Sequence, residues 1–521
     1  MRFFKLIFIT YLMLLNLTLS SQGGFRKRIN LPGSYGTAAI AAFETSPDNY
    51  LILSKTKAID GNNWIFKLGV TKYNSNSHIY TTKQFGDSNL FYPHSFAWIR
   101  NLGKKIGNSV YFANYSCDNN LSLWKGVFIN FDFNGDTIWQ RKYHSVGEHI
   151  FLFQCNKTWD GGFILTGQAR DTLLKVGRLL LIKTDANGNE LWRKKYNNPA
   201  PNYAEGRDVI QDSASKQILI TGMRFKGFSN GSQIEEKFVF LTDSLGTLLY
   251  DLPNTYLMDN ASAGILRDHN NNYYVFGYKN KSYIAPHYTV KPYLLKFKIL
   301  GNNLTTVFDK EYDKEYVSNA FFDAEFDDNN HINLIGHIDT NTINNLPANG
   351  MVSKFKINSD GELISKKYYN YTYNLNWNFG VVANGLSLTS DGGIIAPVER
   401  LLNSSNNYAP LFFVKYDSLG CDTSAFYCAT VGIKENSYQT TDVSIYPQPA
   451  NQVVNLSSPL FANKSAQIQL HNNLGQLCFK QNVKFNNGAL QIPIANLPKG
   501  IYSLKLIDED LKTFTQKIIV E

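Results

Sequence analysis

Three carboxylates, Asp208, Asp323 and Glu325, stand in or beside apolar, strand-length segments of this 521-residue chain. Acid pairs held across a pocket hydrolyse glycosides, one carboxyl protonating the leaving oxygen while the other acts as base or nucleophile. Sequence leaves their separation undefined, and hydrogen-bonding roles account for them more simply. Two further segments, Asp132-Phe133-Asn134-Gly135-Asp136 and Asp185-Ala186-Asn187-Gly188-Asn189, alternate oxygen-bearing side chains as calcium loops do. The equivalent Asp243-Ser244-Leu245-Gly246 and Asp417-Ser418-Leu419-Gly420 lose the second ligand yet keep the glycine, so a turn is the better reading. The nine histidines form no HExxH motif, and neither a G-x-S-x-G elbow nor a Walker loop occurs. The sequence therefore names no catalytic residue, no metal site and no cofactor. Enzyme activity is left open, leaning towards none.

The elements that would position such residues recur at even intervals. Glycine turns fall at Gly135, Gly188, Gly246, Gly301, Gly361 and Gly420, and successive differences are 53, 58, 55, 60 and 59 residues. A copy without glycine, Tyr73-Asn74-Ser75-Asn76, precedes them. Repetition at this period signals stacked or radial copies of one small sheet. In the clearest copy, apolar runs at Ile150–Phe153, Phe163–Gly167 and Leu179–Thr184 are followed by Leu191-Trp192-Arg193-Lys194-Lys195-Tyr196. The middle runs are apolar throughout, as strands covered on both faces are. The fourth is basic, as in Gln140-Arg141-Lys142-Tyr143 and Ser365-Lys366-Lys367-Tyr368, which suits an outer edge protected against aggregation. The expected fold is all-β: a seven-bladed β-propeller of four-stranded antiparallel blades over residues 22–430. Phe25–Asn30 resembles the end of a repeat and should close the ring as the outer strand of the blade formed by residues 381–417. Six or eight blades, or an open solenoid, stay open as alternatives.

Long connections between second and third strands, Met223–Lys237, Tyr278–Pro292, His337–Asn349 and Val398–Pro410, share one face with the links between blades. Long loops on a rigid scaffold are where binding resides. Phe225, Phe228, Tyr283, His287 and Tyr288 would give that face aromatic contact area for a glycan or a protein. The net charge of +9 is spread along the chain and does not indicate nucleic-acid binding.

Residues 1–21 read as a secretory signal: Arg2 and Lys5, an interrupted apolar run Leu6–Leu19, then Ser20-Ser21. No stretch reaches transmembrane length. Cys421 and Cys428 flank a six-residue loop and form a candidate disulfide, and Cys117 and Cys155 lie in neighbouring repeats.

The repeat ends near Cys428, and residues 431–441 read as a polar linker. Residues 442–521 carry short strands with different punctuation, suggesting a small immunoglobulin-like β-sandwich. Their landmarks are Tyr446-Pro447-Gln448-Pro449-Ala450, Leu474-Gly475-Gln476, Leu497-Pro498-Lys499-Gly500-Ile501-Tyr502 and the closing Lys517-Ile518-Ile519-Val520-Glu521. This segment resembles the type A C-terminal sorting domain of the Bacteroidetes type IX (Por) secretion system, with Gln448 where that family usually has Asn. The resemblance implies that Tyr446, Pro447, Pro449, Ala450, Gly475, Pro498, Gly500, Tyr502 and Lys517 form a sorting signal read by the type IX machinery. It also implies passage through the periplasm to a secreted or outer-membrane-surface location. There the tail is often removed, and the cargo is released or attached to surface lipopolysaccharide. The repeats likewise resemble propeller repeats common in exported proteins of these bacteria.

Overall fold

A computed structural model of the chain describes residues 23–34, 36–60, 63–86, 102–117, 123–196, 203–229, 232–252, 260–284, 287–312, 318–339, 351–369, 371, 381–400, 410–422, 443–462, 464–472, 476–508 and 513–521. Residues 1–21, read above as a secretory signal, and Cys428 lie outside them. The chain divides into two compact units, residues 1–428 and 429–521.

In the first unit, antiparallel strands follow one another in sets of four, each pairing with the next along the chain. These sets occupy residues 36–85, 103–143, 148–196, 204–252, 260–311 and 318–369. A single parallel pair, Val290 with Ser318, joins the fifth set to the sixth. The last set, residues 381–416, takes its outer strand from the other end of the chain: Phe25–Ile29 pairs antiparallel with Leu411–Lys415. This is the closure that the basic Phe25-Arg26-Lys27-Arg28 segment implies.

Burial follows the expected gradient across each set. In the third, Phe163–Asp171 and Gly177–Thr184 are buried along most of their length, whereas Glu190–Tyr196 is largely exposed. The apolar cores lie between sets rather than within them. Leu51 and Leu53 of the first set meet Phe112 and Ile129 of the second; Leu219 and Val239 of the fourth meet Val275 and Leu295 of the fifth. Ile395 and Phe413 of the last set pack with Tyr50 and Ile52 of the first, so the succession returns on itself. Each such fully buried aliphatic or aromatic side chain contributes about 2 kcal/mol. The unit is a β-propeller-like domain.

The glycine turns have a double purpose. Gly135, Gly188, Gly246, Gly301, Gly361 and Gly420 all have positive φ, from 63° to 79°, a region that costs other residues energy. At Gly188 a Cβ would also stand 2.7 Å from the Trp139 ring of the preceding set. Four of these turns are gripped from the preceding set's fourth strand or the residue just after it. Tyr143 donates its hydroxyl to the Gly188 carbonyl at 2.6 Å, Tyr196 to Gly246 at 2.6 Å, Tyr312 to Gly361 at 3.0 Å and Tyr369 to Gly420 at 2.6 Å. Lysines add to this: Lys310 donates to the Asp360 carbonyl at 3.0 Å and Lys367 to the Leu419 carbonyl at 2.5 Å. The basic outer strand is thus more than an edge protected by charge. It carries the clasp between one set and the next.

The long connections differ from the sequence expectation. Met223–Lys237 and Tyr278–Pro292 are mostly strand, continuing the middle hairpins of the fourth and fifth sets as Ile218–Ser229 with Ser232–Thr242, and Asn272–Ile284 with His287–Leu300. The hairpins pair antiparallel out to Ser229 with Ser232 and Ile284 with His287. Asn49–Asp60 with Asn63–Asn74 makes a similar arm in the first set.

The second unit holds a three-stranded sheet, Ser444–Tyr446, Val453–Ser457 and Ala489–Pro493, and a four-stranded sheet, in the order Leu477–Lys484, Ser465–Asn472, Gly500–Asp508, Thr513–Val520. Their facing sides form one core containing Val454, Leu456, Ile468, Leu470, Leu504 and Ile518.

Candidate functional site

Each inner strand begins at the link from the preceding set and ends at the turn into its second strand. Midway, several carry a β-bulge, an extra residue that re-aims those after it. The register shifts between Leu152 and Gln154, Gly206 and Asp208, Ser262 and Gly264, and Phe321 and Asp323. The bulge therefore turns Gln154, Asp208 and Asp323 towards a cavity of about 330 Å³ that all sets help to line. Its polar wall is Lys104, Gln154, Asp208, Asp323, Glu325 and Ser387; Phe43 and Phe276 supply aromatic surface. The three carboxylates singled out in the sequence are brought together here.

Their hydrogen bonds define what they do. Asp208 accepts the Val209 N–H at 2.8 Å on one oxygen and the Ile265 N–H, from the next set, at 3.0 Å on the other. Asp323 repeats this with Ala324 at 2.9 Å and Leu386 of the following set at 2.7 Å. Glu325 accepts the Leu388 N–H at 2.8 Å. Around the ring the pattern continues as Asn384 donates to the Ala39 carbonyl at 2.7 Å. At Gly264 a Cβ would lie 2.5 Å from Phe276 and 3.1 Å from the Asp208 carboxylate, so a bare backbone is needed for that clip to close. Asp208 and Asp323 fasten neighbouring inner strands, with each of their oxygens already accepting one main-chain N–H. Burial pushes the Glu325 carboxyl up, against the pull of the Leu388 N–H and of Lys104 and Lys105. Lys105 turns its ammonium to the Glu44 carbonyl at 2.6 Å, whereas Lys104 stands 3.8 Å from Asp208, beyond hydrogen-bond reach.

The turn carboxylates are capped as hairpins require. Asp185 accepts the N–H groups of Asn187 and Asn189 at 2.9 and 2.8 Å and the Asn189 side-chain amide at 2.8 Å. The Asn189 side chain foremost, with those N–H groups, holds this carboxyl below the usual range. Asp132 caps Asn134 and Asp136 in the same way, both at 2.8 Å. Among the described residues no cluster of histidine, cysteine and acid groups has metal-binding geometry. His149 is half-buried within a strand, its Nδ1 accepting the Trp124 N–H at 3.2 Å.

The expected binding face lies at the other end of the inner strands. Ala204 pairs with Arg224 and Asn260 with Lys279, so the arms of the fourth and fifth sets run beyond the first residues of those strands, on the face of the links. Five residues past Arg224 amount to roughly 17 Å of extended chain. Phe225, one of the aromatics expected to offer contact area, is only 5% exposed and belongs to the packed part of its arm. Phe228 pairs with Gln233, Tyr283 with Tyr288, and His287 with Ile284, all within the arms; their side chains lie outside the described residues. Cys421 is disulfide-bonded; Cys155 keeps its thiol, so the bond to Cys117 that neighbouring repeats allow is not made.

In the tail, the landmark residues meet along the last strand. Ala450, fully buried, donates its N–H to the Ile519 carbonyl and accepts the Glu521 N–H, both at 2.8 Å, bridging Val520 in parallel. The Gln448 side chain accepts the Ile519 N–H at 2.9 Å. Tyr502 is buried with its hydroxyl on the Pro498 carbonyl at 2.7 Å, in the strand that Gly500 opens. Lys517 is exposed opposite Ser503, and Tyr446 is 52% exposed between its strand and Pro447 and Pro449. Gly475 lies outside the described residues. Residues 444–521 match the family described as secretion system C-terminal sorting domain, Por_Secre_tail. The tail is a type IX sorting domain. With it the chain is a type IX-exported β-propeller protein, delivered to the cell surface or beyond by a machinery that the sorting domain engages.

No curated protein matches the chain. Among solved structures it is similar to the β-propeller domain of the Trilobed protease from Pyrococcus furiosus, at 8% identity and a TM-score of 0.39, over 77% of this chain and 99% of that one. It is also similar to the Pyrococcus horikoshii acylaminoacyl peptidase, at 9% identity and a TM-score of 0.38, over 80% of this chain and 57% of that one. A Bombyx mori GH32 β-fructofuranosidase aligns at 9% identity and a TM-score of 0.29, over 96% of this chain and 89% of the enzyme. The fold assignment rests on the strand pairing and the returning cores. No helix among the described residues is long and apolar enough to cross a membrane.

Proposed function

We propose that the exported unit is a seven-bladed propeller, residues 22–430, that binds a macromolecular glycan or protein through the face carrying the arms. A leader over residues 1–21, a linker over 431–441 and an immunoglobulin-like sorting sandwich over 442–521 complete the plan. The supporting observation is the pair of adjacent middle hairpins that outrun their inner strands on the link face. Arms of this kind reach a surface where recognition normally resides. A carbohydrate hydrolase working from the channel is the weaker reading, because Asp208 and Asp323 each hold one oxygen on the next residue of their own strand and the other on the following blade. Cys421 with Cys428 is the disulfide we propose, and surface lipopolysaccharide is the anchor if the tail is removed at the cell surface.

The test is a binding screen of the full chain against surface glycans and envelope proteins, with a hydrolysis readout in the same wells. Shortening both arms to tight turns beyond the Phe225–Glu235 and Asn280–Val290 pairs should abolish capture while leaving the thermal midpoint in place. Capture that survives shortening, or turnover of a glycan, overturns the reading. Deleting residues 442–521 should leave the protein in the periplasm; undiminished appearance outside the cell contradicts the export route.

A further inference from the structure

The channel cavity lies near the turns that end the inner strands, away from the arms, and its lining is not that of a structural void. Dry cavities are apolar, whereas this one exposes an ammonium, a carboxyl, an amide and a hydroxyl between two phenylalanines. Its 330 Å³ is room for about ten waters at roughly 30 Å³ each, or for one pyranose ring with a few waters kept.

The charges select the ligand. Lys104 projects here with Asp208 as the facing acid, at 3.8 Å, and the Asp208 oxygens already hold the Val209 and Ile265 N–H groups. Lys104 therefore has donor capacity to offer an incoming oxygen. Glu325 uses Oε2 for Leu388 and brings the rest of its carboxyl to the lining. Lys104 and Lys105 stand among three carboxyl groups, Asp208, Asp323 and Glu325, so a strong anion meets more acid than base and a strong cation meets two ammonium groups. An incoming ammonium would also find the two aspartates occupied by main-chain donors. What remains is a demand for a neutral molecule that both donates and accepts, with C–H surface to lie against Phe43 and Phe276.

We infer that this cavity is a binding site for a single neutral saccharide unit, held by Lys104, Glu325 and Ser387 and flanked by Phe43 and Phe276. It is separate from the arm face, and the two proposals stand or fall independently.

Calorimetric and ligand-observed NMR titrations of the full chain test it, with glucose, galactose, mannose and N-acetylglucosamine as neutral probes. Galacturonate, glucosamine and alanine serve as charged ones. A neutral sugar should bind saturably, and the charged probes at least about tenfold more weakly. Lys104→Met should weaken the sugar about tenfold, and Ser387→Trp, which fills the cavity, should abolish binding, with the thermal midpoint as the control for folding. The chain with shortened arms should bind the sugar unchanged. The inference is overturned if no probe binds saturably, if a charged probe binds best, or if folded Lys104→Met protein binds as well as the parent.

Discussion

The junction between the second and third blades and that between the fourth and fifth solve one packing problem by different chemistry. At the former, Tyr143 reaches the Gly188 carbonyl and the Trp139 ring fills the space that a Cβ would need. At the latter, the fourth strand is Leu248–Leu252, with no basic run ending in tyrosine, and Gly301 has open space around it. There Lys237 of the fourth blade is buried with its ammonium 3.5 Å from the centre of the Tyr293 ring of the fifth. Burial lowers that ammonium to about 7, with Asp309 and Glu311 pulling it up and Lys279 pushing it further down. A neutral hydroxyl clasp is indifferent to pH, while a buried cation over a ring is not. The comparison teaches that sequence repetition fixes the shape of the junctions without fixing what holds each one.

The largest expected difference comes from the turn glycines. Gly188→Ala incurs both a left-handed backbone and a clash with Trp139, about 3 kcal/mol, whereas Gly301→Ala incurs only the first, about 1 kcal/mol. Urea midpoints of the two variants check this; equal losses would erase the distinction between the junctions. Next, Lys237→Met should stabilise the fold by roughly 2 kcal/mol at and below pH 7. The sign follows because the unfolded chain keeps its lysine protonated up to about 10.5 while the folded one releases the proton near 7. Native stability of the parent therefore rises with pH through that window, and the advantage of the methionine variant should shrink towards pH 10. A gain independent of pH would mean that folding does not weaken the hold of Lys237 on its proton. Asp208→Ala should cost about 1.5 kcal/mol by leaving the Ile265 N–H without its partner, and the loss should appear as earlier unfolding of the fifth blade in hydrogen exchange. Smallest, Tyr143→Phe should cost about 1 kcal/mol, with no change in its pH dependence.

Much of this architecture was legible because hairpin turns demand glycine: the even interval from Gly135 to Gly420 carried the repeat, and the buried middle strands carried its order. The closing strand was legible as well, since Phe25–Ile29 repeats the basic edge pattern. The arms were not, because a two-stranded ribbon such as Phe225–Ser229 with Ser232–Glu235 is held by main-chain pairing and shows no apolar alternation. The clasp was hidden for another reason. Arg-Lys-Lys-Tyr looks like edge protection until Tyr196 is seen meeting Gly246, 50 residues away. Asp208, Asp323 and Glu325 line one cavity, and their commitment to Ile265, Leu386 and Leu388, 57 or 63 residues on, could not be read from residue type.

Phe25–Ile29, the earliest of the described strands, has its hydrogen-bond partner at Leu411–Lys415, the last described strand of its unit. Until that partner arrives, the nascent chain carries an orphan ribbon at one extremity and an unfinished rim at the other, each a template for mispairing. Arg26, which reaches Asp422 at 2.8 Å, then acts as the bolt that shows the circle is complete. A chain cut short before residue 411 would be left permanently unzipped.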